Sequence, residues 1–143
     1  AYASAAPALA ALVAAPGEWL RWSLLDLPVG RMAKGRLALL GDAAHPVLPF
    51  LAQGAALAIE DAVCLAEQLG GELDVPDALA AYARHREPRA KRVQDASRSN
   101  GHTYHAGWPI STGRDLVLRR MGPQGMAERY AWLYGWRPDA SHS

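Results

Sequence analysis

The chain has 143 residues, half of them hydrophobic and 20% charged, which fits one globular unit with a core of ordinary size. A formal net charge of +1 provides no overall field to draw nucleic acid or an acidic membrane, and the single cysteine, Cys64, excludes an internal disulfide. No segment offers the roughly 18 apolar residues that cross a bilayer, and the apolar stretch 5–15 contains Pro7 and lacks the basic flank of a signal peptide, so a cytoplasmic setting is expected.

Residues 2–15 read as a helix, with Leu9, Leu12 and Val13 at i, i+3 and i+4 and Pro16-Gly17 as its stop. Residues 19–27 read as a strand with Leu20, Trp22 and Leu24 on one face and Trp19, Arg21 and Ser23 on the other; Trp19 and Trp22 are expected to pack in the core. A short basic turn at Gly35 leads into Leu37-Ala38-Leu39-Leu40, whose continuous apolarity predicts a strand covered on both faces, with Asp42 at its carboxyl end. Pro46 and Pro49 then hold an extended path, Gly54 allows a tight bend, and the chain reads as helix from Ala55 to Leu69, stopped by Gly70-Gly71. Cys64 falls mid-helix as a small buried apolar residue.

The polar positions of that helix, Glu60, Asp61, Glu67 and Gln68, form one narrow stripe, either solvated or facing a partner domain. Asp74 caps a further helix over 76–99, bent near Pro88. Its run of Arg84, Arg86, Arg89, Lys91, Arg92 and Arg98 reads as a solvated helix surface or a set of interdomain ion pairs, with attraction of a phosphate of FAD or of a nicotinamide donor as the alternative. Residues 116–136 read as two short helices broken at Gly122-Pro123, with Tyr130, Trp132, Leu133, Tyr134 and Trp136 as a packing surface. The fold class is therefore α+β and mostly helical. His102 with His105, and Asp42 with His45, have too few companion ligands to suggest a metal.

The most informative stretch is 41–61. It joins a strand to a helix start placed at residues 53–56, where unpaired N–H groups and about half a positive charge stabilise an anionic or carbonyl oxygen by about 0.3 to 2 kcal/mol. The small residues Gly54, Ala55 and Ala56 leave that backbone uncovered. A bound cofactor, with Asp42 accepting hydroxyl hydrogen bonds, is one reading; a plain connecting loop with Asp42 as a local cap is the other.

The spacing of Gly41-Asp42-Ala43-Ala44-His45-Pro46, Pro49, Gln53-Gly54 and Glu60-Asp61-Ala62 resembles the second flavin motif of the FAD-dependent aromatic hydroxylases, the single-component flavoprotein monooxygenases. Ala81-Tyr82, the run 85–89, Arg92-Val93-Gln94, Ser97 and the run 132–135 resemble the salicylate-hydroxylase-like branch, so the resemblance covers roughly residues 17–137. It implies that Gly41, Asp42, His45, Pro49, Gln53, Gly54, Ala55 and Ala56 contact FAD. Asp42 would bind the ribityl chain, Pro49 would lie beside the isoalloxazine ring, and the backbone of 54–56 would face its pyrimidine edge, where reduction places negative charge. His45 would more simply support the loop by hydrogen bonding. Family members usually carry Gly where this chain has Leu51 or Ala52, and often Asn or Gly at Ala56. A Phe50 or Leu51 side chain lying across the amides would oppose this assignment.

The implied activity is hydroxylation of a small aromatic substrate with O2, through a flavin hydroperoxide, using NADH or NADPH; no side chain here is an evident acid, base or nucleophile. Residues 1–34 would end a substrate-side region, 35–71 would contact FAD and 72–143 would form a helical C-terminal region of an FAD-binding, Rossmann-like fold. No Gly-x-Gly-x-x-Gly turn is present to seat a pyrophosphate, and the chain opens without Met. The expectation is thus the C-terminal portion of a larger enzyme, partnered by a missing N-terminal FAD-binding region, with homodimerisation left open. The alternative is a catalytically incompetent helical interaction module.

Overall fold

The computed structural model describes residues 6–138. Helix α1 spans Pro7–Ala14; of the helix expected from residue 2, residues 2–5 lie outside the described residues and Ala6, at ψ 142°, is not helical. Strands β1 (Ala33–Lys34) and β2 (Leu37–Ala38) form a small antiparallel hairpin pairing Ala33 with Ala38, and Gly35 turns it at φ +57°. Three longer helices follow: α2 (Gly54–Gly70), α3 (Val75–Tyr104) and α4 (Ile110–Tyr134).

The architecture is mostly helical with one two-stranded sheet, and α3 is its spine. At 30 residues it is about 45 Å long. Asp74 starts it as expected, its Oδ1 accepting the Asp77 amide at 3.0 Å. It runs on past Ser99 to Tyr104 and passes through Pro88 on its exposed side, where water can satisfy the carbonyl that loses its partner. The extension is compatible with Gly101 because the missing side chain is the space in which the Phe50 ring sits: a Cβ there would lie 2.6 Å from that ring. Helix α4 begins earlier than expected, at Ile110, and is interrupted at Gly122, φ +65° and ψ −177°, so the break read at Gly122-Pro123 is present.

Two apolar clusters hold these elements. Met32, Ala44, Cys64, Tyr82, Ala83 and Ala90 form one, tying the hairpin and α2 to α3, and Cys64 is buried as expected. Leu51, Leu57, Val93 and Leu133 form the other, joining the loop before α2 to α3 and α4.

Two strand expectations are corrected. Residues 19–27 form no strand, and Trp19 and Trp22 are 65% and 81% exposed rather than core. Alternating apolarity makes a strand only where a neighbouring edge receives its hydrogen bonds, and no such edge lies beside this segment among the described residues. The strand expected over 37–40 shrinks to Leu37–Ala38, and Leu37 and Leu39 are exposed instead of covered on both faces.

Candidate functional site

The loop between β2 and α2 is built from behind. Gly41 takes φ +56°, and a Cβ there would stand 3.3 Å from that of Ala58, so both conformation and space call for glycine. Its carbonyl accepts the amides of Ala44 and His45, each at 2.9 Å, closing a 3₁₀ turn over Gly41–Ala43 that turns Asp42 outward and exposed. The extended backbone that follows is gripped by α3: Gln94 Nε2 donates to Pro46 O at 2.9 Å and Ser97 Oγ to Leu48 O at 2.7 Å. A second 3₁₀ turn, Pro49–Leu51, ends in Ala52 at φ 51°, ψ 36°. The sharp bend expected at Gly54 therefore falls at Ala52, an L-residue in the left-handed region, while Gly54 opens α2 with ordinary helical geometry.

The two bulky loop side chains turn toward the helices. Leu51 packs with Leu57, Val93 and Leu133, and Phe50 meets Tyr104 and His105 edge to face at 6.1 and 5.6 Å. Small groups remain at the start of α2: Ala55 is exposed, and Gly54 and Ala56 are half-buried. The first intrahelical amide bond runs from Leu57 to Gln53 O, so the amides of Gly54, Ala55 and Ala56 are the unpaired ones of the helix start. Asp42 Oδ1 stands beside them, 3.8 Å from where a Gly54 Cβ would be, and Pro49 is exposed on the same loop. Gln53 is buried, its Nε2 donating to Leu51 O at 3.3 Å.

Beneath the loop lies a buried ionic network. Asp61 accepts the Gly41 amide at 3.0 Å and His45 Nε2 on Oδ2, and Arg86 Nε at 2.8 Å on Oδ1. Arg86 Nη2 also reaches Glu60 at 2.8 Å, and Arg89 forks onto Glu60 at 2.8 and 3.1 Å. Burial alone would raise the Asp61 carboxyl, but hydrogen bonds from His45, Arg86 and Gly41 together hold it below its ordinary value. Burial, helped by the nearby Asp61 charge, pushes the Tyr82 phenol up, and its hydroxyl donates to Leu39 O at 2.9 Å.

This network corrects both sequence readings of the α2 stripe. Glu60 and Asp61 are neither solvated nor turned toward an absent domain; they are buried against α3, and the apolar Ala55, Ile59 and Ala62 face outward. It likewise pairs Arg86 and Arg89 with Glu60 and Asp61 inside the molecule. His45 is fully buried, and its Nδ1 has no hydrogen-bond partner among the described residues.

A family model described as an FAD binding domain matches residues 4–97. The chain belongs to that family. Among curated relatives, a 3-hydroxybenzoate 6-hydroxylase of Aquipseudomonas alcaligenes is 45% identical over 82% of this chain and 30% of its own length. A 3-amino-4-hydroxybenzoate 2-monooxygenase of Streptomyces platensis is 42% identical over 90% of this chain and 32% of its own, and a 6-hydroxynicotinate 3-monooxygenase of Pseudomonas fluorescens 45% identical over 66% and 25%. The chain thus spans about a third or less of the length of these relatives.

The matched family region takes in the hairpin, the loop, α2 and most of α3, so it contains the whole loop and the residues that grip it up to Ser97. Asp61, Gln94 and Ser97 stood among the motif residues, but their work as anchors of the loop backbone was not legible. The signal was there in hindsight: polar side chains on helix faces otherwise rich in Ala, Leu and Val are polar for a partner, and that partner is backbone 20 to 49 residues away in sequence.

Proposed function

We propose that this chain is the C-terminal portion of an FAD-dependent monooxygenase, and that the loop of residues 41–56 holds the riboflavin part of the cofactor. The observation that carries it is the loop's division into two sides. The inner side takes Leu51, Phe50, Gln53 and His45, packed on α2 and α3 or bonded within the loop; the outward side keeps a carboxylate, a proline ring and three unpaired amides beside small side chains. A flat ring with a polyhydroxyl chain suits that side, because Gly54, Ala55 and Ala56 carry no side chain beyond a Cβ and Asp42 Oδ1 lies 3.8 Å from where a Gly54 Cβ would be.

In this reading Asp42 accepts hydrogen bonds from ribityl hydroxyls, Pro49 lies against the ring, and the amides of Gly54, Ala55 and Ala56 stabilise negative charge on its pyrimidine edge by about 0.3 to 1 kcal/mol through the helix dipole. Gly41, Gln53 and His45 act from behind, fixing the backbone. Bound FAD would supply the redox chemistry, taking electrons from NADH or NADPH and, by a flavin hydroperoxide, passing one oxygen atom of O2 to a small aromatic substrate such as the hydroxybenzoates named in the relatives. The protein's share is position, charge stabilisation and exclusion of water.

The test is Asp42→Ala in the longer flavoprotein. Losing one hydrogen bond to a charged acceptor costs about 1.5 to 3 kcal/mol, so FAD should bind at least on the order of ten- to a hundredfold more weakly. The melting temperature of the flavin-free protein should hardly move, since Asp42 is exposed. Wild-type flavin affinity in this variant would remove Asp42 from the site.

A further inference from the structure

Helix α4 lies beyond the matched family region, and its last turn touches the loop by two independent routes. One is polar. Arg89 donates from Nη1 to Trp132 O and from Nη2 to Leu133 O, both at 2.9 Å, so it ties down carbonyls at the α4 C-terminus while its other edge holds Glu60. Glu60 shares Arg86 with Asp61, and Asp61 holds the Gly41 amide. Indole rings cover the guanidinium groups from outside: Trp132 lies 3.9 Å from Arg92 and 5.4 Å from Arg89, and Trp136 lies 5.4 Å from Arg86. The other route is apolar. Leu133, 2% exposed, packs in one cluster with Leu51, the residue immediately before the strained Ala52, and with Leu57 in the first turn of α2.

We propose that residues 132–136 are a positioning brace for the cofactor loop, setting its two ends through Arg89–Glu60–Arg86–Asp61 at Gly41 and through Leu133 at Leu51. The proposal rests on the assignment of the loop to FAD but concerns different residues. None of the brace residues faces the cofactor side; they act through the backbone of residues 41–57. The buried carboxylates of α2 then have a use that a purely apolar helix contact would not provide, because directional hydrogen bonds fix one backbone position where apolar packing alone tolerates several.

The experiment compares Leu133→Ala, Arg89→Ala, Arg89→Lys and a control, Leu79→Ala, in the longer flavoprotein. Leu79 is buried on α3 and belongs to neither apolar cluster. Amide hydrogen exchange reads the brace without reference to flavin, well below each variant's melting temperature. Leu133→Ala should speed exchange at Ala52 and Leu57, and Arg89→Ala at Gly41 and His45, by at least tenfold, with Arg89→Lys in between. In the same two alanine variants FAD should bind at least tenfold more weakly and its reduction potential should shift, whereas Leu79→Ala should lower the melting temperature and leave both unchanged. Unaltered loop exchange in Leu133→Ala and Arg89→Ala, or the same loop acceleration in Leu79→Ala, overturns the brace. Faster loop exchange in Leu133→Ala and Arg89→Ala, with FAD affinity and reduction potential unchanged from wild type, would leave the brace standing and defeat the cofactor assignment instead.

Discussion

Replacing Asp61 by Asn keeps the shape of the side chain and removes its charge, which makes it the sharpest probe of the network under the loop. The carboxylate accepts three bonds, from Gly41 N, His45 Nε2 and Arg86 Nε, and is fully buried, as is nearly all of Arg86. An asparagine offers one acceptor oxygen and turns an N–H2 toward groups that themselves donate. Removing one partner of a buried ion pair costs about 3 to 5 kcal/mol; because Arg86 keeps Glu60 at 2.8 Å, the lower figure, about 3 kcal/mol, is expected. With an m-value of roughly 2 kcal/mol/M, the urea midpoint should fall by about 1.5 M. The cycle completed with Arg86→Met should show coupling of about 0.5 to 3 kcal/mol, the double variant losing less than the sum of the two singles. Acid supplies a further check of sign. Asp61 has a folded pKa below its ordinary 3.8, so its contribution is complete above that value and is lost as pH falls through the lower one. The stability gap between wild type and Asp61→Asn should therefore narrow below about pH 4. A midpoint shift under about 0.3 M at neutral pH, or additivity in the cycle, would refute the view that this network anchors the loop.

Two substitutions test the loop's backbone and packing. Ala52→Gly relieves a left-handed conformation costing about 1 to 2 kcal/mol, less about 0.4 to 1 for the freer unfolded chain, so a net gain of about 0.5 to 1 kcal/mol should appear in thermal melts, while Ala52→Val should lose stability. Gly101→Ala gains about 1 kcal/mol of helix propensity but drives a methyl to 2.6 Å from the Phe50 ring, an overpacking that costs about 1 to 3 kcal/mol, so the variant should be destabilised in denaturant titration despite the better helix former.

Residues 53–56 were legible as a helix start because glycine, small residues and an unbroken apolar run coincide there, and Asp74 announced the next helix by its capping chemistry. The Gly122-Pro123 break was equally local. What sequence could not give was partnership across distance. Glu60 and Asp61 look like a solvent stripe until Arg86 and Arg89, 25 to 29 residues on, are brought against them. Trp19 and Trp22 look like core until the fold leaves both exposed. Glycine is the usual residue for a sharp bend, which points to Gly54, whereas the structure bends at Ala52 and places Gly54 as the first residue of α2.

The most direct measurement is a crystal structure of the longer protein with FAD bound. The account predicts the Asp42 carboxylate hydrogen-bonded to ribityl hydroxyls and the pyrimidine edge of the ring against the amides of Gly54, Ala55 and Ala56. A flavin seated elsewhere, with those amides facing solvent, would contradict it.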